Sequence, residues 1–188
     1  MTINAELFAD LGIPIDYGRD PRRPGYSEAT VLGEVEPNIV GKMQRLAPET
    51  AHAWKQMKAA AAHDGIELLI VSGFRSVRQQ IDLFRGKLAA GQSIEAILKV
   101  NAAPGFSEHH SGHAVDIATP GSRPLTAEFD ASPAFLWLTA NAARFGFTMP
   151  YPRNNDLGFD YEPWHWSRLA APEPRNGTGS TRTTEPGA

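Results

Sequence analysis

Three of the six histidines in this chain of 188 residues, His109, His110 and His113, fall inside the stretch SEHHSGHAVDI at 107–117. Asp116 follows three residues after the last of them. There is no cysteine, which excludes thiol nucleophiles, disulfides and thiolate-held zinc, so any metal must be held by His, Asp or Glu. Imidazole with carboxylate is a sound pair of zinc ligands. Gly112 permits a tight turn, so one ligand before it and one after it can meet at a point. His109 and His110 are adjacent and point differently, and residue chemistry alone leaves open which of them binds. Strand alternation does not settle it either.

Two ligands hold a metal poorly, and a third is on offer in YEPWHW at 161–166. His165 is the only histidine after residue 113, and Glu162 precedes it by three. Pro163 has no N–H for a central ladder, so the segment bends or lies at an edge, and a bend lets Glu162 and His165 face one site. Two histidines and an aspartate, with the fourth position open to solvent, is the coordination of a catalytic zinc rather than a structural one. A nearby unligated carboxylate then has a role as general base towards water and proton donor to a leaving amine. Plainer readings stand beside these. Asp116 can be a turn residue, Glu162 an exposed strand acid and Arg75 a helix-start charge, although a cation there opposes the macrodipole. Trp164 and Trp166 read as packing, His52 and His63 as structural, and His110 and His113 as neighbours of the site.

The chain resembles the zinc D-alanyl-D-alanine carboxypeptidases of the VanY type, in the wider group that includes lysostaphin-type peptidases and hedgehog domains. Their Ser-x-His-x-x-Gly-x-Ala-x-Asp motif is matched by Ser107, His109, Gly112, Ala114 and Asp116, their Glu-x-x-His by Glu162 and His165, and their Ser-Gly-Tyr/Phe-Arg-Ser…Gln by SGFRSVRQQ with Arg75 and Gln80. Each fragment alone is weak; three in order make a strong signal. The resemblance covers roughly residues 40 to 170. It implies that His109, Asp116 and His165 bind zinc and that Glu162 is the catalytic base. It implies further that Arg75 acts on substrate or on the oxyanion, with Gln80 and Ser107 binding substrate. The implied activity is removal of the terminal D-amino acid from peptidoglycan stem peptides or precursors, at a D-Ala-D-Ala or an L,D bond. The alternatives are a peptidoglycan endopeptidase and a non-catalytic zinc-binding module of the same fold.

These residues need elements to carry them. The sequence predicts a helix over 48–63, a buried strand in IELLIVSG, and an amphipathic helix over 76–91 with apolar residues at 77, 81, 84 and 88. A short helix capped by Ser93 comes next, then a loop over 103–112 and a strand in HAVDIAT. A helix over 132–146, with Ser132 at its cap and Gly146 at its end, precedes two extended segments in FTMPY and FDYEPWHW. Intermixed helices and strands without regular alternation predict an α+β fold, a small, largely antiparallel sheet backed by helices, as in hedgehog and D-Ala-D-Ala-peptidase domains. Residues 1–36, rich in Pro and Gly, read as an irregular arm, residues 37–170 as the zinc peptidase domain, and residues 171–188, without a large apolar side chain, as a disordered tail.

Composition narrows the partners. Hydrophobic content of 41% with 21% charged residues is that of an ordinary globular chain. A net charge of -3 gives no electrostatic case for nucleic acid, and no apolar run approaches the ~20 residues of a membrane span. The first residues show no basic region followed by an apolar one, so no secretory signal is read there, and localisation stays open between cytoplasm and cell envelope. A monomer acting on a peptidoglycan peptide is the expectation.

Overall fold

The computed structural model describes residues 5–168; the expected tail at 171–188 lies outside them. Among the described residues there are five α-helices, α1 (Ala5–Leu11), α2 (Pro48–His63), α3 (Val77–Ala89), α4 (Ile94–Val100) and α5 (Pro133–Asn141). Local chemistry sets their starts. Pro48 and Pro133 occupy first turns, where a missing N–H costs nothing. Ser76 accepts from the Gln79 N–H while the Gln79 side chain returns to the Ser76 N–H, a reciprocal cap that opens α3. Ser93 and Ser132 cap α4 and α5 through their hydroxyls.

The strands form two antiparallel sheets. β1 (Gly33–Pro37) pairs with β2 (Met43–Leu46), and β3 (Leu69–Ser72), β4 (Ala114–Ala118) and β5 (His165–Ser167) form a three-stranded sheet in that order. The α+β expectation therefore holds, with every pairing antiparallel. β4 is central and buried along its whole length. Its side chains alternate, so Val115 and Ile117 enter the main core with Trp54, Met57, Phe129, Leu138 and Trp166, while Asp116 faces the other way. That alternation aims the carboxylate at the site.

Four expectations need amending. The helix predicted over 132–146 ends at Asn141, and Ala142–Phe145 continues as a 3-10 turn into Gly146, which is left-handed. The strand expected to be buried in IELLIVSG is shorter, starting at Leu69, and only Ile70 within it is buried while its neighbours are partly exposed. FTMPY contributes only a bridge from Thr148 to Ser167. The arm expected over 1–36 holds more order than its composition indicates. α1 and a 3-10 turn at Tyr17–Arg19 bring Phe8, Leu11, Ile13 and Tyr17 onto Phe84 of α3 and Ile97 of α4 in a second hydrophobic cluster, and β1 begins inside the arm.

Gly112 shows how tightly the histidine-rich loop is held. Its φ is +74°, and a Cβ there would stand 2.9 Å from the backbone nitrogen of Ala47. Gly112→Ala is expected to lower stability by about 1–2 kcal/mol from the dihedral alone, and further through the clash. Denaturant unfolding of the variant checks this; an unchanged midpoint would contradict it. No helix among the described residues is long and apolar enough to cross a membrane.

Candidate metal centre and its groove

β4 and β5 are paired so that Asp116 lies directly opposite His165. Directly opposed residues on one face of an antiparallel pair bring their Cβ atoms within about 5 Å. His109 arrives from a different direction, on the 3-10 turn Glu108–Ser111 that Gly112 terminates. Its Nδ1 donates to the Gly73 carbonyl at 2.7 Å, which leaves Nε2 turned to Asp116 Oδ2 at 3.2 Å. His165 Nδ1 stands 3.0 Å from Asp116 Oδ1. One ligand atom from each of His109, Asp116 and His165 lies within 4.8 Å of the others, and all three residues are buried.

The spacing suits a small divalent ion. With bonds of about 2.0–2.2 Å, a tetrahedral zinc separates its ligand atoms by roughly 3.3 Å. The imidazole–carboxylate separations here, 3.0 and 3.2 Å, are close to that. Burial pushes the Asp116 carboxyl up, but His109 and His165 facing it win and hold it far below the usual carboxylate range. Burial lowers His109. An ionised carboxylate and a neutral imidazole are the forms that bind a cation. Burial also opposes protonation of His165, yet hydrogen bonds with Asp116 and Glu108 raise it to about 10 in the metal-free protein.

A groove of about 280 Å³ opens over these atoms and is lined by Arg75, Gln80, Lys87, Ser107, Glu108, Tyr151, Glu162 and Trp164, among others. Glu162 is 7% exposed and its carboxylate has no hydrogen-bond or ion-pair partner among the described residues. Burial pushes it up to about 8, against the pull of His165. A carboxylate so placed is a candidate for proton transfer. Arg75 is fixed rather than free: one guanidinium nitrogen donates to Gln80 Oε1 at 3.0 Å and another to Ser72 Oγ at 3.0 Å, with Asp116 at 3.8 Å.

The structure brings His109, Asp116, His165, Glu162, Arg75, Gln80 and Ser107 into one groove and sets Gln80 directly behind Arg75. Expected to hold substrate, Gln80 is 1% exposed and has both ends of its amide engaged, the nitrogen with Ala102 O at 2.7 Å and the oxygen with Arg75. It steadies Arg75 from the groove wall. Ser107 is buried in the groove wall. His110 is fully buried, its Nδ1 donating to Arg75 O and its Nε2 accepting from Gly105 N–H, so it pins two loops together. His113 meets Thr50 and Glu49 instead.

Two groove residues escaped the sequence reading. Lys87 shares one face of α3 with Gln80, seven residues apart. Burial and the neighbouring Arg75 lower its pKa, and it has no ion-pair partner among the described residues. Glu108 holds His165 Nε2 at 2.8 Å. Its only signal in the sequence was an acid directly before a candidate ligand.

The sequence profile of the VanY D-alanyl-D-alanine carboxypeptidases matches residues 43–170. This chain belongs to the VanY family. Within that family's reach, it is 35% identical over 149 residues to the Bacillus subtilis protein YodJ, which is 76% of this chain and 54% of that protein. The chain thus spans about half the length of the curated relatives it matches. Among solved structures it is similar to the LD-carboxypeptidase LdcB, a structure concerned with peptidoglycan recognition, at TM-score 0.68 and 32% identity, covering 79% of this chain and 72% of that one. It is also similar to a VanY D,D-pentapeptidase from a VanB-type vancomycin resistance cassette, a variant solved with Zn(II), at TM-score 0.58 and 28% identity, covering 75% and 80%. The VanY-family fold is therefore the one that carries the His109, Asp116 and His165 cluster here.

Proposed function

We propose that this chain is a zinc carboxypeptidase that removes the terminal D-amino acid from peptidoglycan stem peptides or their precursors. The observation that carries the reading is a buried cluster of two imidazoles and one carboxylate with an uncommitted buried carboxylate, Glu162, in the same groove. His109, Asp116 and His165 would hold the zinc. Bound there, the ion supplies a Lewis acid for the scissile carbonyl and makes a solvent molecule more acidic.

The protein's own groups account for the rest. Glu162 takes a proton from the attacking water and passes it to the departing amine. Arg75, fixed by Gln80 and Ser72, offers its guanidinium to the negative charge that develops on the carbonyl oxygen. Because the fork is already ordered, little reorganisation is needed when that charge appears. Ser107 lines the part of the groove beside His109 and is a donor for the peptide terminus. A non-catalytic zinc module has no use for Glu162 and Arg75 in one groove.

Mass spectrometry of defined stem tetrapeptides and pentapeptides incubated with zinc-loaded protein tests the reading, because it reports both the reaction and the bond. Loss of one terminal D-alanine from the pentapeptide is the expected result; loss from the tetrapeptide would assign an L,D bond. Cleavage inside the stem would assign the endopeptidase alternative, and no zinc-dependent release from either peptide overturns the proposal.

Lys87 is a second cation for an anionic substrate. Lys87→Met, which keeps the apolar stem and removes the charge, is expected to raise KM for a stem peptide with a free terminal carboxylate about 10- to 150-fold, as one charge-assisted hydrogen bond is worth about 1.5–3 kcal/mol. Its effect on kcat should be much smaller. Steady-state kinetics of the variant check this, and an unchanged KM would remove Lys87 from substrate binding.

A further inference from the structure

The metal centre is fastened from outside the region that matches the family. That match begins at residue 43, yet a chain of hydrogen bonds runs from the arm to a ligand. The Tyr26 hydroxyl donates to Glu108 Oε1 at 3.4 Å, and Glu108 Oε2 meets His165 Nε2 at 2.8 Å. Glu108 is 6% exposed and His165 3% exposed. We propose that Tyr26 and Glu108 are positioning residues, through which the N-terminal arm orients His165 for zinc.

Neutral imidazole has one donor nitrogen and one acceptor nitrogen. Glu108 is acceptor-only when ionised, so it selects the form of His165 with its proton on Nε2. Nδ1 then keeps its lone pair towards Asp116 and His109, which is the side on which the three ligand atoms converge. A carboxylate behind a ligating histidine fixes both its ring orientation and its basicity. Glu108 in turn has two oxygens, and Tyr26 engages the one that His165 leaves.

Tyr26 is itself held firmly. Its backbone N–H donates to Gly105 O at 2.8 Å, and three residues on, the Ala29 N–H donates to His110 O at 2.8 Å. Between them, Glu28 Oε1 accepts from the Val77 N–H at 2.6 Å, at the start of α3. The arm therefore grips the histidine-rich loop at Tyr26 and at Ala29, which fixes the backbone from which the Tyr26 hydroxyl reaches Glu108.

The inference rests on the zinc reading above, and its test separates the two. Zinc affinity is measured by competition with a chromogenic chelator for the wild type, Glu108→Ala, Glu108→Gln, Tyr26→Phe and the Tyr26→Phe/Glu108→Ala double variant, with melting temperatures of the metal-free proteins alongside. Loss of the carboxylate in Glu108→Ala is expected to weaken zinc about 10- to 100-fold. Glu108→Gln, whose amide oxygen can still accept from His165, should recover part of that loss. Tyr26→Phe should weaken zinc about three- to tenfold with its metal-free melting temperature little changed, and should add nothing further in the Glu108→Ala background, because it acts through Glu108.

A merely structural Tyr26 would lower the melting temperature and leave the zinc affinity alone. Tyr26→Phe with wild-type affinity, or with its full effect retained when Glu108 is absent, overturns the inference. If Glu108→Ala does not fold, Glu108→Gln and Tyr26→Phe decide the matter. A wild type that binds no zinc overturns the metal-centre reading itself, whereas a zinc-binding wild type with unaltered variants overturns this inference alone.

Discussion

Glu162→Gln is expected to lower turnover of a stem peptide by about 10²–10⁴-fold, the usual contribution of a general acid or base, while leaving zinc bound. Glutamine has nearly the same shape and cannot take a proton from water. The substitution leaves no orphan behind, because the Glu162 carboxylate has no hydrogen-bond or ion-pair partner among the described residues. It also removes a carboxyl that burial already pushes up to about 8, so the fold should be no less stable. Steady-state kinetics with metal analysis and thermal melts check all three points. Activity within tenfold of wild type, with zinc at full occupancy, would assign the base to another group.

The other large effect belongs to Asp116. Asp116→Ala is expected to abolish measurable zinc binding at micromolar metal, and turnover with it, because it removes the one carboxylate among the three proposed ligands. It should also destabilise the metal-free protein by about 3–5 kcal/mol, the cost of removing one partner from a buried charged network. Asp116 faces His109 at 3.2 Å, His165 at 3.0 Å and Arg75 at 3.8 Å, and all three lose that partner together. Chelator competition and urea unfolding measure the two losses separately. Wild-type zinc affinity in this variant would disprove the assigned ligand set.

The site was legible because its chemistry is concentrated in three short motifs. SGFRS, SEHHSGHAVD and EPWH each carry groups whose types restrict their use, and Gly112 and Pro163 mark where the backbone departs from regular structure. Helix starts were legible from Ser93 and Ser132, which cap helices as expected, and Ser76 does the same at the head of α3. What stayed hidden depends on contacts between distant segments. That Gln80 braces Arg75 shows only once its amide is seen engaged by Arg75 and Ala102, residues on different loops. Glu108 fills a position that the motif leaves free, so neither spacing nor type reveals that it backs His165. The arm misleads for a related reason. Its Pro and Gly content describes the backbone well, but Phe8, Leu11, Ile13 and Tyr17 are bound by a cluster supplied from α3 and α4, which local pattern does not contain. The helix over 132–146 changes pitch at Ala142 although its cap and stop residues were read correctly.

The central strand has one consequence for how this chain must fold. Val115 and Ile117 face oil while Asp116 faces the groove, and the next strand answers with Trp166 on one side and His165 on the other. A slip of a single residue along β4 would exchange those faces, driving a carboxylate into an aliphatic interior and two aliphatic side chains into a polar cleft. Misaligned pairings are thereby penalised twice, so the same alternation that gathers the ligands also proofreads the sheet.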